Sequence, residues 1–280
     1  MSISNVLKAA TLLGCMTAAG SADAARFLYT GGHQADVART AALGDTFREF
    51  VGDDAGWSTA LAGGYGTFDA FVVGENSGGI ALTASTRSAI AAYVNNGGKV
   101  IIVGDHEGST AFLNPVFGYS AVASYGCDDS QAVGGTKTAA TVGTSFASGP
   151  PALRNLSCTG ALVASSLPAG VKTMYAGDGT SLVFTASYGR GQIGYLGWDL
   201  CGEADGGCGN ELAYEDDWYI VLHAALLPQF VSCAAEGYIG AKLTLCRKIC
   251  EQPQTPSTMT GLVRLYTAIY RTAPSCPAVQ

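Results

Sequence analysis

The sequence predicts an α/β protein built around a parallel β-sheet. From Arg26 onward, short apolar segments alternate with segments of helical spacing, which is typical of parallel strands joined by helices. One of these segments, "KVIIVG" at 99–104, is continuously apolar, as a strand buried on both faces should be. The composition, 48% hydrophobic and 13% charged, is that of a chain that folds around a core. The formal net charge of -7 argues against a nucleic-acid partner, which needs clustered Lys and Arg.

The first half of the chain supplies three predicted strands and two predicted helices. The strands are 26–32, 68–75 and 99–104. The helix at 35–51 would place Val37, Phe47, Phe50 and Val51 in the core, and a second helix at 82–98 has a Thr before it and an Asn-Asn-Gly-Gly stop after it.

The second half is less regular. Residues 114–179 form a Ser-, Thr- and Gly-rich insertion, for which we expect irregular or β structure. A β-hairpin is predicted at 181–199 around "YGRG". A helix at 215–230 closes the main domain, which spans 26–231, and its acidic start suits a helix N-terminus.

The N-terminus has the layout of a secretory signal peptide, predicted at 1–25. One Lys precedes a run of apolar and small residues, and an Ala-Asp-Ala step at 22–24 predicts cleavage near Ala24 or Ala25. The protein would then be secreted or periplasmic. An alternative treats "LLGC" as a lipoprotein box, which would anchor the chain through a lipid on Cys15. No later run reaches the ~18 apolar residues of a membrane span, so no transmembrane segment is predicted.

The cysteines agree with export. Leaving out Cys15, eight remain, and an even number in an exported chain indicates disulfides. Local spacing suggests Cys127 with Cys158, Cys201 with Cys208, and the last four (Cys233, Cys246, Cys250 and Cys276) among themselves. A zinc site in the tail is disfavoured, because only one closely spaced cysteine pair is present there.

The tail, 232–280, is predicted to be a disulfide-stapled helical hairpin. Cys246 and Cys250 are four residues apart and would face the same way from one helix. We expect this segment to serve as a cap or as a docking module for a protein partner.

Polar residues follow four of the predicted strands. In an open parallel sheet, ligands bind beyond the carboxyl ends of the strands. The residues at those ends are Gly32 and His33, Glu75 and Asn76, Asp105, His106 and Glu107, and Trp198 and Asp199.

Three interpretations of this edge remain open. Asp105, His106 and Asp199, with His33 or Glu75, could hold a divalent metal such as Zn or Mn and activate water, with Asp105 and His106 as catalytic residues. Alternatively, Gly32, His33, Glu75, Asn76 and Glu107 could hydrogen-bond a sugar or another polar ligand that stacks on Trp198. In the third interpretation, the carboxylates only cap loops.

Several motifs are similar to those of the class I glutamine amidotransferase-like superfamily, especially its trehalose-utilisation-type and other non-amidotransferase branches. They are "FDAFVVGENSGG", "LTASTRSAIAAYVNNGGKVIIVGDH" and the Gly-Arg-Gly hairpin before a late strand. The resemblance implies a flavodoxin-like, three-layer domain.

The resemblance does not extend to the superfamily's thiol chemistry. Amidotransferases carry a cysteine nucleophile at the turn after the third strand, where this chain has Gly104-Asp105-His106-Glu107-Gly108. The late strand ends in Trp198-Asp199 without the expected histidine. We therefore expect an exported domain that binds a polar, carbohydrate-like ligand and lacks glutaminase activity. The alternatives are a metal-dependent hydrolase and a cell-surface interaction protein.

Overall fold

A computed structural model describes residues 24–32, 37–74, 81–104, 106–124, 133–156, 159–198, 212–227, 233, 238–250 and 256–271. Within these ranges the side chains of residues 106–108, 133, 212–214, 256 and 257 are not described. No helix in the described ranges combines the length and the apolar character needed to cross a membrane.

The protein has an α/β fold with one mixed sheet of eleven strands. The strands are β1 (Arg26–Thr30), β2 (Thr46–Glu49), β3 (Ala70–Val73), β4 (Lys99–Val103), β5 (Ala123–Ser124), β6 (Val133–Lys137), β7 (Ala152–Arg154), β8 (Ala161–Val163), β9 (Lys172–Gly177), β10 (Thr180–Tyr188) and β11 (Gly191–Leu196).

One half of the sheet is parallel, as the sequence predicts. Strands β2, β1, β3, β4 and β11 are neighbours in that order and pair in parallel. The other half departs from a purely parallel sheet, since β10, β9, β6 and β7 continue it with antiparallel pairing. The predicted hairpin is present, with β10 and β11 joined through Gly189 and Arg190. Strands of the 114–179 segment thus extend the main sheet.

The α-helices are α1 (Asp54–Leu61), α2 (Ala84–Asn95), α3 (His106–Phe117), α4 (Leu212–Leu226), α5 (Gly240–Cys250) and α6 (Pro256–Tyr270). Helix α2 lies where the sequence places it, and the hydroxyl of Thr83 accepts a hydrogen bond from the amide of Thr86 as its N-cap. Helix α4 begins and ends a few residues before its predicted bounds.

The predicted helix at 35–51 is wrong in its second half. A short 3-10 helix, Arg39–Leu43, ends at Gly44, whose φ of 95° suits glycine. The next residues form β2, which pairs with β1, because an alternating Thr-Phe-Arg-Glu segment fits a sheet edge. Val51, expected in the core, is 65% exposed. Helix α1, which the sequence analysis did not identify, follows with Asp53 as its N-cap.

The sheet is covered on both faces. Alternate strand residues such as Phe27, Val72 and Ile101 belong to one apolar cluster, which includes Trp218 of α4. The intervening residues, such as Phe71 and Ile102, belong to a second cluster with side chains of α1, α2 and α3. This alternation is the period-two pattern of a sheet between two helical layers.

The tail contains the two predicted helices, α5 and α6, which share a small apolar cluster around Tyr266. Cys233 and Cys246 form a disulfide, which agrees with pairing among the last four cysteines. Cys250 is also disulfide-bonded. The predicted pairs Cys127 with Cys158 and Cys201 with Cys208, and the position of Cys276, lie outside the described residues.

Candidate functional site at the carboxyl edge of the parallel strands

Four parallel strands end side by side at one edge of the sheet. The amide of Gly74, after β3, donates to the Thr30 carbonyl of β1 at 2.7 Å, and the amide of Gly104, after β4, donates to the Leu196 carbonyl of β11 at 3.1 Å. A glycine follows each strand directly: Gly31, Gly74, Gly104 and Gly197. At the first position after each of these four strands, the described edge therefore presents backbone without a side chain.

Two of these glycines are required by close approach. A Cβ on Gly74 would lie 2.4 Å from the hydroxyl of Tyr29, whose O–H donates to the Gly32 carbonyl. A Cβ on Gly197 would lie 1.7 Å from the carbonyl oxygen of Gly160. A larger residue would therefore meet the Tyr29 side chain at position 74 and the Gly160 backbone at position 197.

The turn after β4 leads directly into a helix. Helix α3 starts at His106, two residues after Gly104, and Glu107 is its second residue. Ser109 is buried, and its hydroxyl donates to the Gly104 carbonyl at 3.2 Å, which tightens the turn. The free amides of a helix N-terminus attract negative or hydrogen-bond-accepting groups.

The structure places some of the predicted site residues and leaves others outside its described ranges. Gly32 and Trp198 are described, and the backbone of His106 and Glu107 is described in α3. His33, Glu75, Asn76, Asp105 and Asp199 lie outside the described residues. The convergence of the polar side chains on a ligand or metal therefore stays a prediction.

The predicted stacking role of Trp198 is not supported. The residue is fully buried, and its ring packs in parallel against Trp218 at 6.5 Å and edge-on against Tyr219 at 4.8 Å between centroids. Both partners belong to α4, so the indole is part of the core under the edge. Its buried N–H has no hydrogen-bond partner among the described residues, an uncommon situation for a buried donor.

The described residues that could jointly ligate a metal are cysteines. Cys233, Cys246 and Cys250 have their sulfur atoms close together. All three are engaged in disulfides, so no thiolate is available there.

A polar cluster near the start of α4 was missed by the sequence analysis. Glu215 is fully buried, and its Oε2 accepts hydrogen bonds from Arg39 Nη1 and the Tyr219 hydroxyl, each at 2.7 Å. Asp216 accepts from Arg39 Nη2 at 2.9 Å, and the guanidinium lies 4.3 Å from the centre of the Tyr219 ring. A cavity of about 520 Å³ opens beside these groups, lined also by Ile220.

The neighbouring charges in this cluster shift the pKa values of Arg39 and Asp217. Burial by itself would lower the pKa of Arg39, but Tyr219, Glu215 and Asp216 outweigh it and raise that pKa. The pKa of Asp217 is raised by burial and by the adjacent Asp216, with Arg154 opposing. The acidic residues at 215–217 are visible in the sequence, where they suit a helix N-terminus. Their pairing with Arg39 is not visible, because Arg39 lies 176 residues from Glu215 in the chain.

Comparison with known proteins agrees with the fold class. No family model matches the chain, and no curated protein matches it either. The solved cytoplasmic protein STM3548 from Salmonella typhimurium is similar over 73% of this chain and 99% of its own, with 9% identity and a TM-score of 0.50.

Two further solved structures resemble the chain less closely. The cytoplasmic protein STM1381 from Salmonella typhimurium LT2 has a TM-score of 0.47 and 13% identity, over 71% of this chain and 98% of its own. A ThuA-like protein from Bacteroides uniformis has a TM-score of 0.42 and 13% identity, over 72% of this chain and 91% of its own. At these identities the similarity concerns the fold alone. The α/β fold with a mixed sheet is shown by the structure of the chain itself, and the family resemblance drawn from its motifs stays a prediction.

Proposed function

We propose that this protein is an exported, flavodoxin-like domain that binds a small polar ligand of carbohydrate type at the carboxyl edge of β1, β3, β4 and β11. The observation that carries the proposal is the row of glycines that ends all four strands. Glycines at these four positions leave room for a ligand against the backbone of the strand ends, at the place where open α/β sheets bind theirs.

The chemistry of the neighbouring residues favours a ligand rich in hydroxyl groups. Sugar hydroxyls both donate and accept hydrogen bonds, so they suit a mixture of imidazole, carboxylate and amide side chains. His33, Asn76 and Asp105, which follow these strands in the sequence, would supply that mixture.

The chain departs from the resembled superfamily at the positions that serve glutamine hydrolysis there. The turn after β4, Gly104-Asp105-His106-Glu107-Gly108, contains no cysteine that could form a thioester. We therefore propose that the fold is used without the thiol chemistry of the resembled superfamily.

Thermal shift with a panel of monosaccharides and disaccharides tests this function. A bound sugar raises the melting temperature, and a ligand at 100 times its Kd adds about 2.7 kcal/mol to the free energy of unfolding. We expect the shift to disappear in Asp105→Asn and His106→Ala. It should persist in Asp178→Asn, which changes an exposed carboxylate in the turn between β9 and β10.

The same variants separate binding from metal-dependent hydrolysis. Elemental analysis of the purified protein should find no stoichiometric Zn or Mn if the site is a sugar site. Metal that is present in the wild-type protein and lost in Asp105→Asn and His106→Ala would favour the hydrolase built on Asp105, His106 and Asp199. A wild-type protein that responds to no sugar, or a shift that survives both substitutions, would contradict the proposal.

A second candidate, protein docking through the tail, rests on an exposed apolar pair. Leu265 and Ile269 lie one turn apart on α6 and are about half exposed. If the tail docks a partner, a Leu265→Glu and Ile269→Glu double variant should lose that partner while any sugar response stays unchanged.

A further inference from the structure

Ala25, at the predicted cleavage site of the signal peptide, is held firmly at the start of β1. Ala25 is 4% exposed. Its amide donates to Asp45 Oδ1 at 2.9 Å, and its carbonyl accepts from the amide of Thr46 at 2.9 Å. Ala25 is therefore fixed through both of its backbone polar groups.

The acceptor of the Ala25 amide is a carboxylate without solvent exposure. The Asp45 side chain is 0% exposed, and both of its oxygens lie within hydrogen-bond distance of His223 Nδ1, at 3.0 and 2.9 Å. His223 comes from the middle of α4, and its side chain is 13% exposed. A buried carboxylate needs hydrogen-bond donors or positive charge close by, and in the uncleaved chain one backbone amide and one imidazole supply them.

We propose that the buried Asp45 carboxylate binds the free α-ammonium group of Ala25 in the processed protein. The proposal rests on the predicted export signal, in which Ala22 and Ala24 are the small residues that precede the bond between Ala24 and Ala25. A leader peptidase would hydrolyse that bond with one water molecule. The Ala24 carbonyl becomes a carboxylate, and the Ala25 nitrogen leaves as an amine that takes up a proton to become the ammonium.

Cleavage changes the charge balance at this position. The Ala25 nitrogen gains two N–H groups and a positive charge at the distance of the present hydrogen bond. Charge-assisted hydrogen bonds are about twice as strong as neutral ones. The ion pair then neutralises Asp45, so processing of the leader strengthens the attachment of β1 to β2 and α4.

Arg26, the next residue, contacts an exposed carboxylate rather than a buried one. The amide of Arg26 donates to Asp69 Oδ2 at 2.8 Å, but the Asp69 side chain is 48% exposed. An ammonium on Arg26 would pair with a hydrated carboxylate, where ion pairs contribute little. An ammonium at Ala25 would therefore be bound more strongly by its carboxylate than one at Arg26.

A two-by-two comparison of melting temperatures tests the coupling. One chain begins at Ala25, and the other carries a Gly-Ser extension before it, each with Asp45 or with Asp45→Asn. We expect Asp45→Asn to lower the melting temperature by several degrees more in the chain that begins at Ala25. Asp69→Asn is the matched control and should have the same effect in both chains. An equal decrease in melting temperature from Asp45→Asn in both chains would overturn the proposal.

Two measurements on the wild-type protein do not depend on the folding of a variant. N-terminal sequencing of protein purified after export should begin at Ala25, and a start at Cys15 or Arg26 would refute the assignment. An amine-acylating reagent should label the α-amine several-fold more slowly in the native protein than in urea. Labelling at the unfolded rate would refute it as well.

Discussion

At the scale of single residues, Lys99 shows how burial can set a charge. Its ammonium lies at the C-terminal end of α4 and donates to the carbonyls of Ala225 and Leu226, at 3.1 and 2.7 Å, and to that of Leu227. Burial lowers the pKa of Lys99 from 10.5 to about 7, and the attraction of Asp69 opposes this only in part. The residue therefore changes charge near neutral pH in the folded protein.

This pKa predicts a pH dependence of stability. Between about pH 7 and 10.5 the unfolded chain holds the Lys99 proton and the folded protein does not, so the free energy of unfolding rises with pH across that window. The slope is at most about 1.4 kcal/mol per pH unit. Urea unfolding at pH 7, 8 and 9 should show this rise in the wild-type protein relative to Lys99→Met. Curves that stay parallel for the two proteins would contradict the lowered pKa.

At the scale of elements, Arg39 joins the 3-10 helix after β1 to the first turn of α4. Its two contacts to Glu215 and Asp216, together with the Tyr219 ring beneath it, link segments that the sequence analysis treated separately. Because Glu215 is fully buried, removing its cationic partner would leave an uncompensated charge in the core.

We therefore expect Arg39→Leu to destabilise the protein by about 3 kcal/mol, as loss of one partner of a buried pair does. Arg26→Leu is the matched control, since the pair of Arg26 with Asp69 is half exposed and 4.0 Å long, and its loss should cost less than about 1 kcal/mol. Urea unfolding measures both. Similar losses for the two variants would show that the Glu215 ion pair adds nothing beyond a surface contact.

At the scale of the whole molecule, the tail has an apolar cluster of its own. Tyr266, Ile249 and the oxidised cysteines form that cluster, whereas the clusters on the two sheet faces contain no described residue of α5 or α6. A short disulfide loop stabilises a small unit mainly by restricting its unfolded state.

This separation predicts local unfolding when the tail disulfide is removed. In the double variant Cys233→Ala and Cys246→Ala, we expect a loss of about 3 kcal/mol that is confined to the tail. Hydrogen exchange should show faster exchange in α5 and α6 and unchanged protection in β4 and β11. Thr244→Ala, an exposed change on α5, serves as the control. Faster exchange in the sheet strands would mean that the tail supports the main core.

Much of the fold could be read from local patterns. The continuous apolar run of β4, the capped helix α2 and the Gly-Arg turn between β10 and β11 are each determined by residues that are neighbours in the chain, and the structure confirms all three. The same locality explains the error at 35–51. Its apolar residues fit a helix as well as a strand, and only pairing with β1 decides for β2.

For the candidate site, too, some features follow from the sequence and others only from the tertiary structure. The sequence by itself determined that glycines and polar residues follow the strands, because their order along the chain fixes what comes after each strand. Only the tertiary structure decided that Trp198 is a core side chain, that Arg39 pairs with Glu215, and that Asp45 meets both Ala25 and His223. Burial and charge pairing depend on residues brought together from distant parts of the chain. The local spacing of residues in the sequence therefore does not predict those contacts.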